Sequence, residues 1–411
     1  MTQLSRRTVL RGGLAAFAAV LVPRYFSGCS AAVDDGGLGG ATDGPQALRS
    51  LLSKIGPLQP ANALGMRLPE GFTARVVAES GKETLAGKYS WHLLPDGGAC
   101  FATDDGGWIY VSNCEMPVVG GAGALRFDKA GALVDAYPIL QDTMVNCAGG
   151  PTPWGTWLSC EEISEGQVWE CDPWGVKDAV LVPSLGRFKH EAVAVDPEAG
   201  HLYLSEDETD GCLYRYVAPG RDDAGRLFLE GGRLEVAVVD ESNGVTWVEV
   251  PDPGFTKDVP TRQQIPEATA FDGGEGLWWR EGVVFLSTKG DNKVWAYDTK
   301  AATIGTIYDR SAAQTPDALY GVDNLTVTAC GDVLVAEDGG QMRIVAVQPD
   351  GSLVPLMQLE GQDKSEITGP AFDPSGTRLY FSSQRGQGLL SGITYEISGP
   401  FHEPMAKGDS C

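Results

Sequence analysis

The amino-acid sequence predicts an all-β chain folded as a six-bladed β-propeller. Three observations carry that prediction. After residue 65, short alternating apolar stretches bounded by Gly, Pro, Asn and Asp dominate, and long amphipathic helical patterns are nearly absent. One unit recurs six times: an apolar strand ending in a small polar or acidic residue, then a turn, then a second strand. Most recurrences lie 45–50 residues apart, the length of a four-stranded blade. A pair of β-sandwiches is the alternative arrangement of such strands.

In chain order the units are Trp108–Asn113, Gly155–Cys160, His201–Glu206, Val283–Thr288, Asp332–Glu337 and Arg378–Ser383. Following strands are visible at Cys212–Val217 and Lys293–Tyr297. The gap between the third and fourth units is 82 residues, and its excess falls in Pro219–Gln264, which reads as a long blade connection or lid. Asp104-Asp105-Gly106 and Asp373-Pro374-Ser375-Gly376 read as hairpin turns.

Ahead of the propeller, Ser5-Arg6-Arg7-Thr8-Val9-Leu10 followed by the apolar run Leu14–Val22 matches a twin-arginine export signal. That run is about half the length needed to span a bilayer. A Sec signal or short anchor is the alternative. Phe26-Ser27-Gly28-Cys29 resembles a lipoprotein cleavage box, which would anchor the chain through a lipidated Cys29; ordinary cleavage near Ala31-Ala32 is the other reading. The expected organisation is a signal over 1–32, a linker over 33–65 with one short helix near 45–54, a propeller over 66–400 and a tail over 401–411. The expected location is periplasmic, lipid-anchored or free, or extracellular, for a monomer that uses the twin-arginine translocase.

The 411 residues carry 31 Lys+Arg against 55 Asp+Glu, a net charge of −24. No basic face is evident and phosphate backbones would be repelled, which excludes nucleic acid as a partner. The acids are not evenly spread. They cluster just after the repeated strand, at Glu115, Glu161-Glu162, Glu206-Asp207-Glu208 and Glu337-Asp338, while Glu275 and Glu366 stand in Gly-flanked segments. If equivalent strands end on one face, these carboxylates converge there, repel, and require cations or protons. Calcium takes roughly six to eight oxygen ligands, and ferric iron also favours carboxylate.

Only four histidines are present, His92, His190, His201 and His402, and none are at ligand spacing, so an oxygen-dominated site is expected. His190-Glu191 opens a strand and places a polar pair at the channel, unless the histidine is simply a satisfied core residue. There is no G-x-S-x-G elbow, no P-loop and no C-x-x-C pair among the nine cysteines.

The most informative stretch is Asn146-Cys-Ala-Gly-Gly-Pro-Thr-Pro-Trp-Gly-Thr-Trp-Leu-Ser-Cys-Glu-Glu162. It resembles the signature of the PhoX family of exported bacterial alkaline phosphatases. Ordered matches continue at His190–Asp196, Leu204–Asp207, Leu213–Tyr216, Glu275-Gly276, Asp323-Asn324-Leu325, Glu337-Asp338-Gly339 and Glu366–Pro370, so the resemblance spans roughly 66–400. It implies a six-bladed propeller that hydrolyses small phosphorylated substrates at a site holding two ferric ions and calcium ions. The nucleophile it implies is a metal-bound oxide or hydroxide. Carried over by position, Cys147 would be the thiolate ligand, Glu162 a carboxylate ligand with Glu161 as the alternative, and Glu275 and Glu366 further ligands. Glu206, Asp207, Asp323, Asn324, Glu337 and Asp338 would serve calcium.

The chain is shorter than the family's characterised phosphatases, and Ile163–Cys171 does not follow their pattern. A phosphate-binding arginine is open between Arg187, Arg343 and Arg385. Two other functions compete: a calcium-stabilised propeller hydrolysing another ester, and a non-catalytic surface-binding propeller. A Cys147–Cys160 disulfide would remove the thiolate ligand.

Overall fold

Each of the six repeated segments forms the second strand of one antiparallel sheet. The structure, a computed structural model, describes residues 47–313 and 318–405. The export signal read from residues 1–32, including Cys29, lies outside the described residues. Among the described residues there is no α-helix, only strands and three short 3-10 turns.

The sheets follow one another along the chain. Blade 1 runs from Pro95 to Thr143, blade 2 from Asn146 to Leu181, blade 3 from His190 to Glu249, blade 4 from Gly274 to Asp309, blade 5 from Val322 to Leu359 and blade 6 from Ile367 to Ser398. The inner strand of each blade packs on that of the next, and the sixth packs on the first, so the six sheets close into a ring. Blade faces are covered by neighbouring blades. The second strands are therefore buried on both sides and read as near-continuous apolar runs. The apolar clusters lie between blades: Ala192, Tyr203 and Leu213 of blade 3 pack with Leu277, Leu286 and Trp295 of blade 4.

Closure uses the N-terminal part of the chain. Thr73–Glu79 is the outer strand of blade 6, paired antiparallel with Ile393–Ser398, and Met66–Arg67 adds to the edge of blade 5 against Leu359 and Gln358. Leu48–Ser50 pairs with His402–Pro404. The stretch expected to hold a short linker helix is instead a strand followed by the 3-10 turn Leu52–Lys54, and the start of the expected tail is its partner. The cross-strand hydrogen bonds of an edge outweigh the local helix preference there.

The long segment read as a blade connection or lid lies largely within blade 3. Arg233–Val239 and Val245–Glu249 are the fourth and fifth strands of that blade. Their turn, Asp240–Gly244, is held by Asp240 accepting from the amides of Ser242 and Gly244.

Inner strands approach the axis so closely that some positions exclude a side chain. A Cβ on Gly150 would strike the carbonyl of Val193 in the next blade, and one on Gly276 would meet the amide of Leu325. This is why the inner strands are rich in glycine although they lie at the heart of the molecule.

Candidate metal centre

All six inner strands start at the same end of the channel with the same irregularity. The ladder breaks between Pro95 and Gly98, Asn146 and Gly149, His190 and Val193, Gly274 and Leu277, Val322 and Leu325, and Thr368 and Ala371. A bulge re-aims the residue it contains. In the first five blades the second strand residue, inside the bulge, is Asp96, Cys147, Glu191, Glu275 or Asp323. In blade 6 the irregularity falls one residue later, Gly369 takes the ring position, and Glu366, just before the strand, supplies the carboxylate.

The second strands return to the same end and add a second ring. The residue immediately after each is Glu115, Glu162, Asp207, Lys289, Asp338 and Gln384 in blades 1 to 6. Each of these reaches the cluster or its counter-ions. The residue before it, the last of the strand, points the opposite way, as pleating requires. Glu161 accepts from the amides of Met144 and Gln167. Glu206 accepts from the Cys212 amide and the Tyr214 hydroxyl and pairs with Arg262 at 3.1 Å. Glu337 accepts from the Tyr320 amide and is bound through both oxygens by buried Arg343, at 2.7 and 3.0 Å. These three acids hold their blades together; they do not line the mouth.

What does converge is a group of eight carboxylates and one thiol. Four overlapping trios have ligand atoms within 4.8 Å of one another: Glu115–Cys147–Glu162, Asp96–Glu115–Glu366, Glu191–Glu275–Asp323 and Asp323–Asp338–Glu366. Three cationic side chains reach in from the rim. Lys189 Nζ lies 2.9 Å from Glu162 and 2.8 Å from Asp207. Lys289 Nζ lies 2.9 Å from Glu275, 3.2 Å from Asp323 and 3.4 Å from Asp338. Arg385 lies 3.0 Å from Glu366. Gln384 donates to Asp96 and Glu115 at once.

The electrostatics show what this crowding costs. Burial, reinforced by neighbouring carboxylates, pushes Asp96, Glu191 and Glu366 well above the usual carboxylate range. Glu275 is raised in the same way, by burial and then Asp323, against the pull of Lys289. Glu162 is pushed up to about 8 by burial, with Lys189 opposing and Glu115 adding to it. Asp207 is the exception: burial would raise it, but its bond and charge pairing with Lys189 bring it below the ordinary value. The Cys147 thiol is raised by burial and by Asp96 and Glu191, and it donates to Glu191 Oε1 at 3.2 Å.

The other oxygen of fully buried Glu191 has no hydrogen-bond partner. A buried, unpaired carboxylate oxygen in such a cluster fits a bound cation. The donor set fits cations of two kinds. A thiol among carboxylates suits a transition metal such as iron, whereas all-oxygen trios suit calcium.

Of the residues singled out from sequence, Cys147, Glu162, Glu275, Asp323, Asp338 and Glu366 are brought together, and Asp207 stands beside them through Lys189. Asn324 ties blades instead: its Oδ1 accepts from the Gly369 amide and its Nδ2 donates to Asp323. Cys147 and Cys160 are both free thiols, as are Cys100, Cys114, Cys171 and Cys212, whereas Cys330 is disulfide-bonded. Of the arginines left open, Arg385 reaches the cluster; Arg343 binds Glu337 and Arg187 lies 3.6 Å from Glu165.

Asp96, Glu115 and Glu191 were not in the expected ligand set. Glu115 was visible as a strand-end acid and Glu191 as half of a polar pair, but Pro95-Asp96-Gly97-Gly98 reads as a turn. His190 is no ligand in this arrangement: its Nε2 lies 3.1 Å from the Gly186 carbonyl, and burial holds its pKa down to about 3.

A six-bladed propeller whose channel mouth gathers eight carboxylates and a thiol defines the class of protein. Comparison with known proteins narrows it. The sequence profile of the family described as alkaline phosphatase PhoX matches residues 110–173 and 164–314. The fold is similar to that of Pseudomonas fluorescens PhoX, solved in complex with vanadate, a transition-state analogue: TM-score 0.69 at 16% identity, covering 83% of this chain and 97% of that one. A Bacteroides thetaiotaomicron protein of unknown function is also similar, at TM-score 0.52 and 7% identity, over 83% of this chain and 84% of that one. No curated protein sequence matches significantly. The chain belongs to the PhoX alkaline phosphatase family.

Proposed function

We propose that this chain is an exported, metal-dependent phosphatase acting on small phosphomonoesters at the channel mouth. The observation that carries the reading is the convergence of Cys147 with Glu115 and Glu162 beside three all-carboxylate trios. Family membership and the vanadate complex of the similar P. fluorescens protein support it. Cys147, Glu115 and Glu162 would hold iron, and Asp96, Glu366 and Glu191 would complete the iron set and hold calcium, beside Glu275, Asp323 and Asp338, which surround Lys289. Bound there, such ions supply the positive charge that a phosphomonoester dianion and its transferring phosphoryl group require.

The chain's own groups do the positioning. Asn113 donates to the carbonyls of Cys147 and Ala148 at 3.2 and 2.6 Å and fixes the bulge that aims the thiol. Arg385 and Lys189, each about a third exposed on the side chain, stand at the rim where an anionic substrate enters. Pairing with Glu366 and Glu162 orients these cations. The fold of a binding protein would serve equally well, so the test is chemical. Protein expressed through its export pathway is assayed for bound metals and for vanadate-sensitive hydrolysis of a phosphomonoester. Iron with calcium, and turnover, support the proposal. Calcium without iron, and no phosphatase activity, sinks it in favour of another hydrolase; neither metal in folded protein points to a binding propeller.

Export belongs to the same proposal and rests on Ser5–Leu10 with the apolar run that follows. Delivery would be periplasmic, free or lipid-anchored through Cys29, or extracellular, and the protein monomeric. Replacing Arg6 and Arg7 together by lysine should retain the precursor inside the cell; unchanged export would reject the twin-arginine route.

A further inference from the structure

We propose that the Lys289 ammonium is a built-in cation that occupies one metal position of the cluster between blades 4 and 5. This rests on the reading of the cluster as a cation site. Four blades place a carboxylate immediately after the second strand: Glu115, Glu162, Asp207 and Asp338. Blade 6 places the amide of Gln384 there, and blade 4 places Lys289. The ammonium lies 2.9, 3.2 and 3.4 Å from oxygens of Glu275, Asp323 and Asp338, which come from two blades.

Three carboxylates around one positive centre is the environment a hard divalent ion would take, with an ammonium as the centre. Two candidate metal trios, Glu191–Glu275–Asp323 and Asp323–Asp338–Glu366, share Asp323 and so share this ammonium. Glu191, with one oxygen unpaired, belongs to the first of them, and the ion pairs of the ammonium go to Glu275, Asp323 and Asp338 and not to Glu191. Burial works against the charge of Lys289, but Asp323, Glu275 and Asp338 outweigh it and hold its pKa above the ordinary lysine value.

The consequence is a lopsided centre. Metal ions are directed to the thiol side, around Cys147, Glu115, Glu162, Asp96 and Glu366, while the opposite side carries a fixed charge of the protein's own. That charge cannot be chelated, and it holds one fewer elementary charge than a calcium ion would.

The test counts ions. Full-length wild-type protein, Lys289→Gln and Lys289→Arg are dialysed against calcium at about 1 mM, a concentration typical of extracellular sites, and bound calcium is measured by elemental analysis. Lys289→Gln is expected to bind about one more calcium per chain than wild type, and Lys289→Arg the same number as wild type. Equal counts in all three, zero included, overturn the proposal whether or not the wild type is a phosphatase. If Lys289→Gln folds only when calcium is present, the ion has replaced the ammonium and the proposal stands. Failure to fold even in calcium overturns it. Phosphatase activity without iron or calcium would count against the functional reading and leave this count unaffected.

Discussion

Removing the metal ions should make stability fall as pH rises from 6.5 to 8. Eight carboxylates of the cluster and Asp207 face three cationic side chains, so six negative charges are unbalanced if all ionise. The metal-free protein avoids this by keeping protons. Glu162 is protonated up to about pH 8 in the folded state, while in the unfolded chain it ionises near its ordinary value of 4.5. A raised carboxylate contributes stability below the unfolded value and loses it as pH climbs to the folded one. Between pH 6.5 and 8 the slope is about 1.4 kcal/mol per unit, so Glu162 alone removes about 2 kcal/mol.

Asp96, Glu191, Glu275 and Glu366 shift in the same direction and add to this loss. His92 and His190, held down to about 3 in the folded state, are still half protonated in the unfolded chain at pH 6.5 and lose that charge by pH 8, so each opposes the trend by about 0.4 kcal/mol, less than Glu162 removes. At about 2.1 cal/mol/K of unfolding entropy per residue, a propeller of this size shifts by about 1.3 °C per kcal/mol, so the chelator-treated protein should melt about 3 °C lower at pH 8 than at pH 6.5. Calcium at 100 times its dissociation constant should return about 2.7 kcal/mol at pH 8. Scanning calorimetry at both pH values, with and without calcium, is the assay. A melting temperature that stays level or rises across this window would refute the argument that the cluster is held by protons when metal is absent.

Other outcomes follow from the same geometry. Cys147→Ala should lose iron and phosphatase activity while keeping the far-ultraviolet circular dichroism of the wild type; iron retained at full stoichiometry would refute the thiolate assignment. Glu337→Gln should cost about 3–5 kcal/mol in denaturant unfolding, because it removes the carboxylate charge that holds buried Arg343 through both oxygens, yet metal content should be unchanged. Glu162→Gln, at the equivalent ring position of blade 2, should do the reverse, weakening metal retention with little loss of stability, and equal effects of the two would undo the two-ring description. Arg385→Ala should raise KM for a phosphomonoester by about tenfold with a smaller change in kcat, consistent with one charge-assisted contact to the substrate dianion. An unchanged KM would remove Arg385 from the substrate path. Below pH 6.5 the buried histidines work the other way: the unfolded chain gains protons that His92 and His190 refuse, so stability falls as pH drops from 6.5 towards 3, and acid titration of the holoprotein should show this limb.

Much of the fold was legible because its signals are local. Six apolar runs at blade spacing became the six second strands, with boundaries within two residues at most of those read from sequence. The inner strands were harder to read, since they are short, glycine-rich and bulged, and their turn-like composition hid Asp96 in Pro95-Asp96-Gly97-Gly98. The stretch over 219–264 looked like a connection or lid because charges and Pro-Asp-Pro-Gly break its pattern, yet the breaks fall in the turns on either side of two outer strands, Arg233–Val239 and Val245–Glu249.

For the site, composition and strand-end position determined that carboxylates would gather at one face, and motif order placed Cys147, Glu162, Glu275, Asp323, Asp338 and Glu366 among the candidates. Sequence alone could not separate Glu162 from Glu161, or Asp338 from Glu337. Adjacent residues at a strand end face opposite directions, and which one faces the axis is set by register within the closed ring. Nor could it show that Lys289 stands among carboxylates. Lys289 and Asp323 are 34 residues apart in sequence and meet because neighbouring blades pack their inner ends around one axis. Strand identity is a property of short windows of sequence. The charge balance of the mouth is a sum over six blades, and it takes its value only when the ring closes.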